Sequence, residues 1–116
     1  MRINEFQLTE HFALAEFQCP CCRTVRLSPK LVMKLEALRI SYGRPIIINS
    51  GYRCREHNRA VGGAPASLHM AGCAADVRVA ASNMALFRRL AVAVGFSCVI
   101  LYEPRNFVHL ECGEAA

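Results

Sequence analysis

The sequence predicts an α+β fold in which flanking helices pack on a small, mainly antiparallel sheet. Three features indicate it: two apolar segments with helical spacing and recognisable ends, short apolar runs bounded by turn-forming residues, and a final pair of such runs separated by a tight turn. The chain has 116 residues, of which 53% are hydrophobic and 20% charged. This length and composition predict a single globular domain over residues 1–116 rather than a disordered chain.

The first helix has the clearest boundaries. Residues 1–27 are expected to be irregular and to end in a cysteine cluster. Ser28 is then a suitable N-cap, with Pro29 at the first helical position, and Gly43 is a suitable C-cap. Residues 46–48 are consecutive isoleucines bounded by turn-forming residues, which predicts a short buried strand.

The central part of the chain combines a long polar loop with regular elements. Residues 50–72 are rich in Gly, Arg, His and Asn and contain a short helix expected over 56–61. A strand is expected over 74–79, after which Ser82 is expected to cap a second long helix that ends at Gly95. The apolar positions of this helix are Leu86, Leu90 and Val94.

Two short runs at the end of the chain predict a hairpin. Residues 99–101 and 107–110 are apolar and are separated by the turn-forming segment 103–106. Because the strands of a hairpin are adjacent and antiparallel, this pair supports the antiparallel character expected of the sheet.

The chain carries a positive net charge. The formal charge is +5, from 14 Lys and Arg against nine Asp and Glu, which favours anionic partners such as nucleic acid or cell-wall polymer. No helix-turn-helix or RNA-binding signature accompanies the basic residues, and the chain has no Trp. We therefore expect no nucleic-acid partner, and keep a zinc-ribbon-like nucleic-acid binder only as a third hypothesis.

One segment combines residue types that bind metal. Between Ser67 and Asp76, His69 lies on a loop and Asp76 at the start of the following strand, so that both can converge on one cation. His109 supplies a third ligand if its strand neighbours the strand of Asp76. Two imidazoles and one carboxylate leave a position open for the water that a hydrolytic zinc site requires. Spacing alone leaves open that these are structural histidines with ordinary hydrogen-bond partners.

Several further motifs make the chain resemble a known family. They are Ser50-Gly-Tyr-Arg53, His57-Asn58, Val61-Gly-Gly-Ala64, the segment from Ser67 to Asp76, and Phe107-Val-His-Leu-Glu111. In this order they resemble the zinc D-Ala-D-Ala carboxypeptidase family, and within it the small peptidoglycan peptidases with a hedgehog-like fold. The family motif Ser-x-His-x-x-Gly-x-Ala-x-Asp is matched at every fixed position, and the resemblance covers about residues 12 to 113.

The resemblance implies a role for each matching residue. His69, Asp76 and His109 would be the ligands of a catalytic Zn²⁺. Arg53 would hold the carbonyl or carboxylate of the substrate, which suits a planar bidentate donor, and Ser67 would bind substrate or brace the His69 loop. The implied reaction is hydrolysis of an amide bond next to a D-amino acid in a peptidoglycan stem peptide or crosslink.

The sequence departs from the family at one position. Family enzymes have an acidic residue three positions before the last ligand histidine, where it accepts the proton of the attacking water; this chain has Asn106 there. An amide can hold a water or contact substrate but cannot accept a proton. We expect Glu103 to act as the proton acceptor, and Glu111, on the same strand face as His109, to support that ligand. The alternative is a zinc-stabilised module that binds cell-wall peptides without cleaving them.

Seven cysteines are a high and odd number for this length. At least one must therefore lack an intramolecular disulfide partner. Cys19, Cys21 and Cys22 are candidates for a second, structural zinc site whose fourth ligand would be distant, such as Cys54 or Cys112. Their spacing is not the paired C-x-x-C of a zinc ribbon, and burial as small hydrophobic residues is the alternative.

The sequence shows no targeting or membrane segment. Uninterrupted apolar runs such as residues 45–48 and 99–101 are short, against the roughly 20 residues that a transmembrane helix needs. Residues 1–6 lack the apolar core of a signal peptide. We expect a monomer without membrane contact that is made in the cytoplasm and is released to the cell wall by another route, as phage or prophage lysis proteins are.

Overall fold

A computed structural model of the chain describes residues 6–113, and within them it confirms the predicted α+β class. The strands are β1 (Ile47–Ser50), β2 (Ala74–Arg78), β3 (Cys98–Tyr102) and β4 (Phe107–Glu111). They form one antiparallel sheet in the order β1-β2-β4-β3. The helices are α1 (Pro29–Tyr42), α2 (Arg55–Ala60) and α3 (Met84–Ala93). Short 3₁₀ turns lie at Leu14–Phe17, Leu68–Ala71, Ala81–Asn83 and Glu103–Arg105.

The ends of α1 are those that the sequence predicts. The Ser28 hydroxyl accepts a hydrogen bond from the Lys30 amide at 3.3 Å, and Pro29 occupies the first turn. Gly43 adopts a left-handed conformation at φ +72° and donates its amide hydrogen to the Arg39 carbonyl. Both ends are therefore fixed by interactions between near neighbours in the chain, which is why the sequence alone locates them.

The start of α3 differs from the prediction. Ser82 does not cap the helix but lies inside the preceding 3₁₀ turn, and the residue before the helix is Asn83, which makes no side-chain capping bond. The buried face of α3 is formed by Met84, Phe87 and Ala91, whereas Leu86 is 43% exposed. At about 100° per residue, Leu86 lies roughly 130° around the helix from the centre of this face. The other two predicted positions, Leu90 and Val94, pack against the core as partly buried residues.

One more expectation needs correction. The isoleucine run was expected to be a buried strand, but β1 is an edge strand in which Ile47 is 48% exposed, while Ile46 just before it is buried. The amino-terminal segment, which was expected to be irregular, contains one 3₁₀ turn, and it also contributes to the core: Phe12 and Phe17 are fully buried and their rings lie 6.0 Å apart. Residues 1–5 and 114–116 lie outside the described part.

The two faces of the sheet serve different purposes. Ala75, Val77, Val108 and Leu110 are fully buried and belong to the core that also includes the apolar sides of α1 and α3. Because side chains alternate along a strand, the intervening residues of β2 and β4 point to the opposite face. Those residues include Asp76 of β2 and His109 of β4, the two metal ligands predicted on these strands.

No helix within residues 6–113 has the length and apolar character needed to cross a membrane.

Candidate metal centre

The register of the two central strands brings Asp76 and His109 together. The two residues are direct partners in the β2–β4 pairing, which fulfils the condition that the strand of His109 neighbours the strand of Asp76. His109 Nδ1 lies 2.7 Å from Asp76 Oδ1. Both side chains are largely but not fully buried, at 15% and 13% exposure, so a small solute can still reach them.

His69 approaches from the 3₁₀ turn that precedes β2. The Ser67 hydroxyl caps this turn by accepting a hydrogen bond from the His69 amide at 3.2 Å, and Gly72 ends it in a left-handed conformation at φ +73°. A Cβ on Gly72 would lie only 2.2 Å from the Arg26 carbonyl oxygen. Glycine is therefore required there for both its conformation and its size. Ser67 thus has the bracing contact that was one of its two expected roles.

The tautomer of His69 leaves a lone pair inside the site. His69 Nδ1 lies 2.7 Å from the Gly51 carbonyl oxygen, which only accepts, so Nδ1 carries the proton. The other ring nitrogen, Nε2, is buried, has no hydrogen-bond partner among the described residues, and lies 3.4 Å from Asp76 Oδ1. A lone pair facing a carboxylate in a buried site is repelled unless a proton or a metal cation lies between them.

The donor atoms of His69, Asp76 and His109 fit a zinc ion. One ligand atom from each residue lies within 4.8 Å of the others. Two imidazoles and one carboxylate are a donor set that zinc accepts in hydrolytic sites, and the set leaves a coordination position free. The unpartnered buried nitrogen of His69 is the observation that favours a metal over a purely structural histidine pair.

The second carboxylate oxygen of Asp76 binds Arg53. Arg53 Nη2 lies 3.2 Å from Asp76 Oδ2, while its Nε donates to the Ser50 hydroxyl at 3.1 Å and its Nη1 to Asn58 Oδ1 at 3.3 Å. Asn58, for which the sequence predicted no role, is only 3% exposed and holds the guanidinium. A Cβ on Gly63 would lie 2.1 Å from Asn58 Oδ1. A glycine at 63 is therefore required for this close approach of the loop to Asn58.

The charges in this cluster shift the titration of its members. Burial alone would raise the pKa of Asp76, but the hydrogen bond with His109 holds the pKa well below its usual range. Burial would lower the pKa of His109, but the hydrogen bonds to Asp76 and Glu111 outweigh it and raise the pKa above that of an ordinary histidine. Asp76 is therefore an anion that attracts a cation at neutral pH.

The predicted acids occupy different positions. Glu111 Oε2 lies 2.8 Å from His109 Nε2, so the ring of His109 is held between two carboxylates. Glu103 and Asn106 are both exposed on the β3–β4 turn, and neither is among the described residues that line the cavity at the triad. Asn106 has φ +54°, a left-handed conformation that Asn adopts more readily than most residues. The roles expected of Glu103 and Asn106 stay predictions.

A cavity of about 710 Å³ opens over the triad. Its side on β3 and β4 is partly aromatic, because the rings of Tyr102 and Phe107 stack at 4.4 Å with 12° between their planes. The Arg105 guanidinium lies 5.4 Å from the Phe107 ring. Polar groups at the base and an apolar wall with a cation at the side are typical of a site that binds a peptide-sized ligand. Other residues lining the cavity are Arg53, Ser67 and Glu111.

A His-Asp-His cluster in an open cavity is an arrangement that metal-dependent hydrolases use. The comparison with protein families specifies the class further, since the model of the family described as Peptidase M15 matches residues 6–111. The chain belongs to the peptidase M15 family, which comprises zinc peptidases of the D-Ala-D-Ala carboxypeptidase type. The resemblance to the zinc D-Ala-D-Ala carboxypeptidase family is thereby confirmed, and so is the general class of hydrolase, whereas membership of the small peptidoglycan branch stays a prediction. A search of curated proteins found no match.

Proposed function

We propose that this protein is a zinc-dependent peptidase that hydrolyses an amide bond next to a D-amino acid in peptidoglycan stem peptides or crosslinks. The observation that carries the proposal is the buried Nε2 of His69, which faces the Asp76 carboxylate with no partner of its own. His69, Asp76 and His109 would hold the ion. Zinc bound there supplies Lewis-acid activation of water and of the substrate carbonyl. The substrate class implies that the protein acts at the cell wall.

Arg53 is the residue that we propose to hold the substrate. Three protein groups fix its guanidinium, so little side-chain entropy is lost when it binds a ligand. A planar donor fixed in this way can form paired hydrogen bonds with a carbonyl or carboxylate. Arg53 lines the cavity together with Arg105, and both charges favour the anionic peptides of the cell wall.

Two carboxylates are candidates for the proton acceptor. Glu103 follows from the sequence, because it precedes the position where the family has its acid. The cavity favours Glu111, which lines it and contacts His109 through one oxygen. We therefore propose that Glu111 combines the positioning of His109 with proton acceptance, and substitution of each acid distinguishes the two candidates.

A second function is supported by Asn106. If no carboxylate replaces the missing acid, the protein would be a zinc-stabilised module that binds cell-wall peptides without cleaving them. Asp tolerates the left-handed conformation of this position as Asn does, so Asn106→Asp restores the acid without backbone strain. A large gain of activity would identify a lapsed enzyme, whereas no gain would indicate that another residue already accepts the proton.

The direct test is mass spectrometry of peptidoglycan fragments after incubation with the zinc-loaded protein. A chelated sample and the His109→Ala variant are the controls. New fragments that disappear in both controls would support the peptidase and would identify the bond cleaved. A fully active His109→Ala variant would overturn the ligand assignment. An unchanged fragment profile, with zinc bound and peptide retained, would support the binding module instead.

A further inference from the structure

Four cysteines meet at a place remote in sequence from the His-Asp-His triad. Three lie on the turn that follows the first 3₁₀ turn, and the fourth directly follows Arg53. Their ligand atoms all lie within 4.8 Å of one another. We call this group the cysteine cluster; its members are Cys19, Cys21, Cys22 and Cys54.

The sulfur distances suit a shared metal ion. Cys19 Sγ lies 3.5 Å from Cys21 Sγ and 3.6 Å from Cys54 Sγ, and the latter two sulfurs are 3.3 Å apart. A tetrahedral zinc ion with Zn–S bonds of about 2.3 Å places its sulfurs roughly 3.8 Å from one another. A disulfide needs about 2.0 Å. A slight expansion of the cluster would therefore admit zinc without any rearrangement of the chain.

The backbone around the cluster is shaped to present the sulfurs. The turn is closed by two hydrogen bonds, from the Cys19 amide to the Thr24 carbonyl at 2.8 Å and from the Arg23 amide to the Cys19 carbonyl at 2.7 Å. Arg23 has φ +60°, which is uncommon for a residue with a side chain. On the other side, the His57 amide donates to Cys54 Sγ at 3.4 Å. Cys54 is thereby also the N-cap of α2, which fixes the position of its sulfur.

The burial of the sulfurs argues against a purely hydrophobic role. Cys19 is fully buried, but Cys21 and Cys22 are exposed, and exposed free cysteines contribute no core packing. The structure also selects the fourth member. Cys54 joins the group, whereas Cys112 is buried elsewhere and donates its amide hydrogen to the Cys73 carbonyl.

We propose that the cysteine cluster is a second, structural zinc site, independent of the proposed catalytic one. It joins the amino-terminal segment to the loop after β1, where the Tyr52 amide already donates to the Phe17 carbonyl at 2.8 Å. That loop also supplies the Gly51 carbonyl that fixes the His69 tautomer. The ion would therefore hold the base of the triad in place without entering it.

Metal counting on the purified full-length chain tests this site separately from the triad. We expect two zinc ions per wild-type chain and one in Cys54→Ser and in His109→Ala. Cys98→Ser, a cysteine outside both donor groups, should keep two. If Cys54→Ser fails to fold, the exposed Cys22→Ser provides the same comparison. One ion in the wild type, with none lost in either cysteine variant, would overturn the proposal.

Cobalt substitution provides a readout that the triad cannot imitate. The triad has no sulfur donor, so thiolate-to-cobalt charge-transfer absorption reports the cysteine cluster alone. We expect this absorption in wild type and His109→Ala and its loss in Cys54→Ser. Absence of the absorption in reduced wild type would overturn the proposal. So would a Cys21–Cys54 disulfide, found by mass spectrometry of protein purified without reductant, in place of the second metal.

Discussion

Substitution of Glu111 by Gln separates the two roles proposed for this residue. Gln keeps an oxygen that can accept the hydrogen bond from His109 Nε2, now at 2.8 Å, but it cannot accept a proton. Loss of support for a metal ligand costs about 10–100-fold in metal affinity, and the retained oxygen places the expected loss at the lower end. Loss of a general base costs about 10²–10⁴-fold in kcat, or roughly 2.7–5.4 kcal/mol.

The assay is kcat for release of the cleaved stem peptide, measured at zinc concentrations that saturate the variant. Saturation removes the effect of metal affinity, so the remaining fall in kcat reports proton acceptance. Glu103→Gln is the matched control, because it makes the same chemical change on the exposed turn outside the cavity lining. If Glu103→Gln lowered kcat by about 10²-fold or more while Glu111→Gln left kcat nearly unchanged, the reasoning would be refuted and Glu103 would be the proton acceptor.

Three further predictions test the surroundings of the triad. Arg53→Lys should raise KM for a stem peptide about tenfold or more, because a point charge replaces the planar donor. An unchanged KM would show that Arg53 does not bind the substrate. Zinc affinity, followed by competition with a chromophoric chelator from about pH 8 to 5, should fall on acidification, since metal needs neutral imidazole. The raised pKa of His109 means that the fall starts at higher pH than for an ordinary histidine near 6.5; a flat profile would contradict this. Gly63→Ala should lower the free energy of unfolding by about 1–3 kcal/mol, because the added Cβ would overlap the Asn58 side chain. Thermal melting measures this change, and a midpoint equal to that of the wild type would contradict the prediction.

What the sequence could predict depends on how far apart the interacting residues lie along the chain. Both ends of α1 were predicted because Ser28 and Gly43 make their contacts within one helical turn. The His-Asp-His triad was predicted only on the condition that the strands of Asp76 and His109 are neighbours. The two residues are 33 positions apart and meet through the strand register. The register is decided by the packing of the whole sheet, which no single motif contains.

The contacts that hold Arg53 could not be predicted from the sequence, for a different reason. Asn58 is close to Arg53 in sequence, and both residues belong to motifs that carry the resemblance to the family. Yet the role of Asn58 depends on where the chain after Gly63 passes, because its Nδ2 donates to the Ala64 carbonyl at 2.8 Å while its oxygen binds the guanidinium. A sequence motif identifies which residues occur together, but the donor and acceptor directions follow only from the folded loop.

Asp76 connects the metal ligands with the residue proposed to hold substrate. Its Oδ1 contacts His109 and lies near His69, while its Oδ2 binds Arg53. A substitution at Asp76 would therefore disturb the donor set and leave a largely buried guanidinium without its counter-ion, so loss of activity there could not be assigned to either role. His109 has no contact with Arg53 among those described, and Arg53→Lys leaves all three donors in place. For this reason the pair His109→Ala and Arg53→Lys, rather than any Asp76 variant, separates metal binding from substrate positioning in this protein.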